Sequence, residues 1–263
     1  MEIGGYRIDP VIDGVGAHRP AEVFPDLGPE QWRRHAGLLR DGRLEVSIGG
    51  FLLRGRGRTI LVDLGFGPGE IMGISTGRLL DSLRGLGVAP ADVTDVLFTH
   101  LHADHVGWAA VDGVTQFPAA TFRCGADDYR YFVVERRDPF TDERLRPCEN
   151  RFEMFGPSPV FPGITAVPAP GHTPGSTILV VSGSAEGVER VVLLGDVVHC
   201  PVQLVEDEWN TLFDVDPVLA RRTRARVVRE LEGDPSVLMA GMHFPGMRFG
   251  RLLGTGGRRQ WAV

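Results

Sequence analysis

Short apolar runs bounded by turns that contain glycine or proline recur along the whole chain. Runs of this length and setting are typical of buried strands. The pattern predicts strands at residues 6–13, 44–53, 58–64, 95–99, 120–124, 160–167, 176–182, 190–196 and 237–242. The strands at 44–53 and 58–64 are expected to form a hairpin, and those between 160 and 196 to form a second sheet.

Three segments show helical spacing instead. Residues 77–87 and 127–137 each predict one helix. A third begins at Asp216 and Pro217, a pair typical of a helix N-cap followed by the first helical residue, and ends near Gly233. The packing stripe of this third helix is expected to consist of residues four apart: Leu219, Thr223, Val227 and Leu231.

Two stretches fit neither pattern. Residues 14–42 are expected to form an irregular N-terminal arm with a short helix, and residues 126–157 mix aromatic with charged side chains. The second stretch is interpreted either as a lid over a pocket or as a segment packed on the sheet. Because the ligand-type residues described below run from His100 to His243, residues 1–263 are predicted to form a single domain.

Composition narrows the class of protein. With 43% hydrophobic residues, the chain can bury a sizeable core. The formal charge is -6, and no lysine- or arginine-rich run suggests a nucleic-acid partner; the basic stretch 221–226 is expected on the solvent face of a helix. No apolar run is long enough to cross a bilayer, and the first residues lack the features of a signal peptide. We expect a cytoplasmic protein that acts on a small-molecule substrate without a membrane partner, with a homodimer left open.

The strongest chemical signal is the dense set of ligand-type side chains that follows the strand at 95–99. Within six positions the chain carries His100, His102, Asp104 and His105. Imidazole nitrogen and carboxylate oxygen suit zinc and similar divalent ions. In an extended segment, residues two apart point the same way, so that His100 and His102 can bind one ion. A turn at Ala103 would then direct the next two toward a second ion.

Three later residues complete this set. His172 lies in a turn rich in glycine and proline, whereas Asp196 and His243 each follow a predicted strand. Each strand therefore delivers a ligand at its carboxyl end. Seven ligands are enough for two ions that share a water molecule.

With these residues in this order, the sequence resembles the metallo-β-lactamase-fold hydrolase superfamily of the dinuclear type. The resemblance implies an α/β fold with four layers in αββα order and metals at one edge of the two sheets. The implied ligands of the first metal are His100, His102 and His172, and those of the second are Asp104, His105 and His243. Asp196 is implied to bridge them. The cofactors are then two divalent ions, with Zn²⁺ as first choice and Mn²⁺, Co²⁺ or Fe²⁺ as alternatives.

Such a site predicts a hydrolase in which a metal-bridging hydroxide attacks an ester, a lactone or a phosphotriester. The candidate catalytic residues are Asp196, Asp104, through which leaving-group protonation could pass, and His199. Lactone-opening members of the superfamily commonly have a tyrosine at the position of His199. A histidine at this position resembles instead the branch that includes methyl-parathion-hydrolase-like phosphotriesterases and broad lactonases or arylesterases. This departure argues against a strict acyl-homoserine lactonase. A substrate-facing role and a structural role remain open for His199.

Alternative functions on the same fold are a mononuclear-iron sulfur oxygenase of the persulfide-dioxygenase kind and a thioesterase. A non-catalytic scaffold is disfavoured because every ligand position is filled. Asp63 is either a turn carboxylate or a partner of a ligand histidine. Cys200 is expected to be an inert buried thiol. The aromatic residues beside the ligand motifs could be pocket walls or core residues: Phe66, Trp108, Trp209 and Phe244.

Overall fold

The computed structural model describes residues 1–156, 159–185, 187–255 and 258–263. Its strands in chain order are β1 Glu2–Ile3, β2 Tyr6–His18, β3 Leu44–Gly55, β4 Arg58–Val62, β5 Gly69–Ile71, β6 Ile74–Thr76, β7 Asp95–Leu97, β8 Ala110–Val111, β9 Val114–Thr115, β10 Thr121–Cys124, β11 Phe152–Met154, β12 Ile164–Pro168, β13 Thr177–Ala185, β14 Val188–Leu193, β15 Val237–Ala240, β16 Arg251–Thr255 and β17 Arg258–Ala262.

The α-helices are α1 Pro20–Val23, α2 Pro29–Trp32, α3 Leu79–Gly85, α4 Ala103–Val106, α5 Ala126–Asp128, α6 Pro139–Leu145, α7 Val202–Val205 and α8 Pro217–Leu231. Short 3₁₀ turns lie at Arg33–Leu38, Pro90–Asp92, Arg146–Arg151, Gly195–Val197 and Pro245–Met247, and a π-helical turn lies at Tyr129–Val134. No helix in the described ranges is long and apolar enough to cross a membrane.

Two sheets carry the fold. The larger has the order β1-β2-β3-β4-β7-β10-β11, and the smaller has the order β12-β13-β14-β15. β2, β3 and β4 pair antiparallel, whereas β4, β7, β10 and β11 run parallel. In the smaller sheet, β12 and β14 flank β13 in antiparallel pairs, and β15 runs parallel to β14. Strands β12, β14 and β15 therefore end at the same edge of their sheet.

Alternation along the strands places the sheets face to face. In β4, Ile60 and Val62 point into a core that also contains Val191 and Leu193 of β14, while Leu61 points to the opposite face. The outer face of the larger sheet packs on α3, and that of the smaller sheet packs on α8. The layers therefore follow the order helix, sheet, sheet, helix, and the predicted four-layer sandwich is confirmed.

The N-terminal arm begins later than predicted, because β2 continues to His18 instead of ending at 13. Its pairing with β3 shifts between Ile12 and Gly14 and then continues as far as His18 and Leu44. Gly14 and Gly16 interrupt the apolar pattern, but they lie beneath the hairpin β5–β6. A Cβ at Gly16 would lie 2.3 Å from Ile74 Cγ1. Glycine is therefore needed for this close approach and does not mark a strand end here.

Helix α8 buries three of the four residues of the predicted packing stripe, namely Thr223, Val227 and Leu231. Asp216 caps it by accepting from the Leu219 backbone N–H, as expected, but the Leu219 side chain is 36% exposed. The buried positions include Ala220 and Arg224. The prediction that residues 221–226 form a solvent face is therefore wrong for Arg224, which is fully buried.

The stretch 126–157 divides into two parts. The residues that form β11 pair in parallel with β10 and so belong to the larger sheet. Tyr131, Phe132 and Asp138 line a cavity at the edge of the sheets. One part of this stretch thus packs in the sheet and another lines the cavity, so that the lid interpretation stays a prediction; residue 157 lies outside the described residues.

Candidate metal centre

Strands of both sheets direct their carboxyl ends toward one edge of the sandwich. His100 follows β7, and the turn after His102 opens into α4, which carries Asp104 and His105. In the smaller sheet, His172 follows β12, Asp196 follows β14 and His243 follows β15. A backbone hydrogen bond of 2.8 Å from Thr177 N to Thr99 O joins the sheets beside them. All seven predicted ligands therefore meet at this edge.

The first group consists of three imidazoles. His172 Nε2 lies 2.9 Å from His102 Nδ1 and 3.1 Å from His100 Nε2. Ligand nitrogens at about 2.0–2.1 Å from a tetrahedral zinc ion lie roughly 3.4 Å apart, close to this spacing. This geometry brings together the three residues that the family resemblance implies for the first metal.

The second group contains Asp104, His105 and His243. His243 Nε2 lies 3.4 Å from Asp104 Oδ2, and His105 Nε2 lies 3.9 Å from Asp104 Oδ1. The Asp196 carboxylate lies between the two groups. Its Oδ1 is 3.4 Å from His105 Nε2, and its Oδ2 is 3.0 Å from His243 Nε2 and 3.6 Å from His172 Nε2.

Neighbours of the imidazoles determine which ring nitrogen carries hydrogen. His243 Nδ1 lies 2.9 Å from the Ser47 carbonyl oxygen, which can only accept, so Nδ1 donates, and Nε2 faces Asp196 Oδ2 at 3.0 Å. His105 Nδ1 faces Asp63 Oδ2 at 2.8 Å, and His172 Nδ1 faces Asp214 Oδ1 at 3.0 Å. These contacts leave each Nε2 directed at the other candidate ligand atoms. Nitrogen and carboxylate groups that converge in this way need a cation between them, either a metal ion or protons.

The titration behaviour of the groups agrees with a cation site. Burial, followed by the neighbouring imidazoles, lowers the pKa of His100 and of His102 well below the usual value, so both rings are neutral. Burial also opposes charge on His243, but the Asp196 and Asp104 carboxylates raise its pKa to about 9. Burial would raise the pKa of Asp196, yet the surrounding histidines, His243 first, hold it well below its usual range.

Unpaired buried atoms are the second sign that the residues fit a metal. His105 Nε2 and Asp196 Oδ1 are buried and have no hydrogen-bond partner within the described ranges. An unpaired buried polar atom costs about 1–3 kcal/mol, so two in one site need an explanation. The combination of imidazole and carboxylate donors suits divalent ions of the zinc type.

Asp63 is the partner of a ligand histidine, one of the two roles considered from the sequence. Besides facing His105, it accepts from Thr99 N at 2.8 Å and from Thr99 Oγ1 at 2.7 Å. Its backbone φ of +60° places it in the left-handed region. The residue that follows β4 is thus strained, and it orients His105 from the larger sheet.

Three further buried carboxylates support the site, and sequence reasoning missed them. Asp214 contacts His172, and Asp128 accepts from Leu101 N at 3.1 Å and Gly175 N at 2.6 Å, which joins the first ligand motif to the His172 turn. Asp13 accepts from five N–H groups, which belong to Phe66, Gly67, Gly77, Leu79 and the Trp108 indole. An aspartate inside an apolar stretch was the available signal for Asp13.

His199 lies at the boundary between the ligand groups and the cavity. Its Nε2 is 3.2 Å from Asp196 Oδ2, and its backbone N–H donates to Gln203 Oε1. Neither ring nitrogen has a hydrogen-bond partner among the residues that the structure describes. The ring also lines the cavity, so it can contact Asp196 and a bound molecule at once.

A cavity of about 370 Å³ opens over the ligand groups. Its floor includes His102, Asp104, His172, Asp196, His199 and His243. Its apolar wall comes from separated segments and contains Val23, Leu44, Val46, Ile48, Ile71, Met72, Ile74, Phe132, Phe213 and Val215. A cavity with an apolar wall and a few convergent polar groups is the usual form of a small-molecule site.

The aromatic residues next to the ligand motifs do not line this cavity. Phe66 stacks on Phe140, and the Trp108 indole donates to Asp13. Trp209 packs against Trp32 in the N-terminal arm, while Phe244 packs in the core beneath α8. Trp108, Trp209 and Phe244 are therefore core residues, whereas Phe66 is half-buried outside the cavity lining.

Cys200 agrees with its prediction as a buried thiol. Burial raises its pKa to about 12, so the thiol stays protonated at neutral pH.

Comparison with known proteins supplies the family context. A family model described as "Metallo-beta-lactamase superfamily" matches residues 50–243. The Metallo-beta-lactamase domain-containing protein 1 of Xenopus laevis is 31% identical over 190 residues, which cover 70% of each chain. The Homo sapiens protein of the same name is 34% identical over 170 residues, or 64% of this chain, and the chain spans only 53% of that protein's length.

Lactonases are also among the relatives. The N-acyl homoserine lactonase of Bacillus cereus is 26% identical over 202 residues, which cover 70% of this chain and 77% of that protein. The structure of AidC, titled a dizinc quorum-quenching lactonase, superposes with a TM-score of 0.87 at 20% identity and covers 99% of this chain and 95% of AidC. That of the hydrolase AbOPH gives a TM-score of 0.84 at 25% identity, with 100% and 95% covered.

Proposed function

The chain belongs to the metallo-beta-lactamase superfamily, and from that premise we propose that it is a metal-dependent hydrolase that opens a lactone or a related carboxylic ester. The observation that carries the proposal is the convergence of seven ligand-type side chains at one edge, five of which line an apolar cavity. The site has donors for two ions and room for a substrate above them.

The chain's own residues divide into two ligand groups. His100, His102 and His172 would hold one ion, Asp104, His105 and His243 the other, and Asp196 lies within reach of both. Two divalent ions, with zinc as first choice, would supply an acidified water molecule and polarise the oxygen that gains charge.

Asp104 and His199 have the positions for proton transfer and substrate contact. Asp104 is the more exposed of the two ligand carboxylates, with 19% of its side chain accessible against 4% for Asp196. It is therefore placed to pass a proton to a leaving alkoxide. Burial lowers the pKa of His199, so its neutral ring can donate one hydrogen bond to a carbonyl oxygen.

The cavity wall supports an apolar group on the substrate. Its side chains are aliphatic or aromatic over most of the surface. Each methylene group of an acyl chain that is buried against this wall would contribute about 0.8 kcal/mol to the free energy of binding. The names of the Bacillus lactonase and of AidC point to the same bond class in relatives.

The test is a substrate panel with metal content measured in the same preparation. Purified protein loaded with Zn²⁺, Mn²⁺, Co²⁺ or Fe²⁺ is assayed on lactones with short and long acyl chains, aryl esters, phosphotriesters and thioesters. We expect two ions per chain and the highest kcat/KM on a lactone or ester that bears an apolar chain. A preference for thioesters or phosphotriesters, or sulfur oxidation with one iron per chain, would overturn the proposal.

A further inference from the structure

The arginine on the inner face of α8 is the largest fully buried side chain of the described chain. Arg224 is 0% exposed, and a buried guanidinium is costly unless its N–H groups are paired. Its Nε donates to the Asp207 carbonyl at 3.0 Å, Nη2 to Asn210 Oδ1 at 3.0 Å, and Nη1 to the Val197 carbonyl at 3.4 Å. All three acceptors lie on the single loop that follows Asp196.

This loop, residues 195–214, connects two parts of the candidate metal centre. Val197 is the residue after Asp196, and the loop ends at Asp214, whose Oδ1 lies 3.0 Å from His172 Nδ1. Arg224 therefore holds the segment that contains one ligand and orients another.

Helix α8 also contacts the His172 turn directly. Thr223 Oγ1 donates to the Pro170 carbonyl at 2.6 Å, and a Cβ on Gly171 would lie 2.2 Å from Ala220 N. The backbone N–H of Val215 donates to the His172 carbonyl at 2.9 Å. One face of this helix thus supports both the His172 turn and the Asp196 loop.

Charge gives Arg224 a second role beside these contacts. The Asp214 side chain is 0% exposed, and within the described ranges its Oδ2 has no hydrogen-bond partner. Burial lowers the pKa of Arg224, whereas the nearby Asp214 carboxylate is the first of the groups that raise it. When a carboxylate and a guanidinium are buried in one region, the charge of each lowers the free-energy cost of burying the other.

We propose that Arg224 is a positioning residue of the metal centre. It fixes the loop 195–214 so that Asp196 and His172 keep their relative places, and its positive charge offsets the buried Asp214 carboxylate. The inference rests on the metal-binding role proposed above, but it is independent of the substrate. Outer contacts of this kind change metal affinity about 10- to 100-fold in other metal sites.

The experiment compares Arg224→Met and Arg224→Lys with Arg222→Met, a matched control at an exposed position of the same helix. Zinc dissociation constants are measured by chelator competition, and the visible spectrum of the Co²⁺-loaded protein reports ligand geometry. We expect Arg224→Met to lower the affinity for one of the two zinc ions about 10- to 100-fold and to alter the spectrum of the Co²⁺-loaded protein. Arg224→Lys should retain part of the affinity, and Arg222→Met should match the unchanged protein.

A double-mutant cycle with Asp214→Asn separates positioning from general stability. If Arg224 acts partly through Asp214, the loss of affinity caused by Arg224→Met will be smaller in the Asp214→Asn protein. A folded Arg224→Met with unchanged zinc affinity and Co²⁺ spectrum would overturn the inference. If Arg224→Met does not fold, Arg224→Lys takes its place in the cycle with Asp214→Asn. Unchanged zinc affinity in Arg224→Lys, together with additive effects of the two substitutions, would then overturn the inference. If the unchanged protein binds no metal, the proposed function fails as well.

Discussion

At the scale of single residues, the candidate ligand histidines differ in what contacts their Nδ1 atoms. His105 and His172 each place Nδ1 against a carboxylate, Asp63 and Asp214 respectively, whereas His243 faces a backbone carbonyl. A carboxylate behind an imidazole fixes its tautomer and makes the opposite nitrogen a stronger donor. Each ligand group therefore contains one imidazole that is supported in this way.

Loss of a single ligand should remove metal and activity together. We expect Asp196→Ala or His102→Ala to abolish hydrolysis and to lower bound metal below two ions per chain, since Asp196 contacts both groups and His102 belongs to the first. The measurement is the metal content of each dialysed variant together with its rate of hydrolysis. Asp26→Ala, at an exposed aspartate outside the site, is the control. Full activity in a metal-free ligand variant would contradict the mechanism.

Asp128 should make the stability of the chain depend on pH. Burial raises its pKa to about 6, against hydrogen bonds from Gly175, Thr173 and Leu101 that lower it. The folded pKa lies above the unfolded value of 3.8, so the stabilisation is fully present below pH 3.8 and is lost as pH rises through about 6. A shift of about two units corresponds to about 3 kcal/mol.

The measurement for Asp128 is urea unfolding of the metal-free chain between pH 4 and 7. The unfolding free energy of the unchanged protein minus that of Asp128→Asn should fall by about 3 kcal/mol across this interval. The subtraction removes the titration of the histidines, which the two proteins share. A difference that stays constant with pH would refute the prediction.

At the scale of elements, the sequence predicted the strands that deliver the ligands and the cap of α8. Those elements carry local signals, namely apolar runs before His100, Asp196 and His243, and the pair Asp216 and Pro217. The hairpin β5–β6 and the extension of β2 were not predicted, because they depend on contact between distant segments. The burial of Arg224 has the same origin, since its three acceptors lie on the loop after Asp196.

The contact between the His172 turn and α8 should tolerate no side chain at Gly171. Its φ is +133°, and an added Cβ would lie 2.2 Å from the Ala220 backbone nitrogen. We expect Gly171→Ala to lower the free energy of unfolding by about 3 kcal/mol, through backbone strain and displacement of the helix. Denaturant unfolding measures this loss. Gly37→Ala, where an added Cβ meets nothing within 4 Å, is the control, and equal stabilities would contradict the expectation.

At the scale of the whole molecule, the cavity joins segments that are far apart in sequence. Its wall draws on the end of β2 and the arm, on β3, on the hairpin β5–β6, on the stretch after α5 and on the loop before α8. The candidate ligand set could be recognised from the sequence because histidine and aspartate side chains are typical metal ligands wherever they cluster. The apolar wall could not, since an aliphatic residue at a cavity looks the same in sequence as one in a core.

Narrowing the mouth of the cavity should change which substrates are accepted. Val215 lines the cavity and is 45% exposed, so Val215→Trp would extend a ring across the opening. We expect a several-fold rise in KM for long-chain lactones, a smaller rise for short-chain ones and unchanged metal content. Val218→Trp, at a residue that is 53% exposed and outside the cavity lining, is the control. Equal effects of the two variants on both chain lengths would exclude this wall from substrate binding.

Convergence of the two sheets at one edge also orders events during synthesis. The donors emerge from the ribosome in sequence, His100 to His105 first, then His172 and Asp196, and His243 last. A nascent chain that ends before β15 offers the first trio of imidazoles but lacks one member of the second. Under the proposed function, a full second ligand group can therefore form only after β15 and His243 have been synthesised.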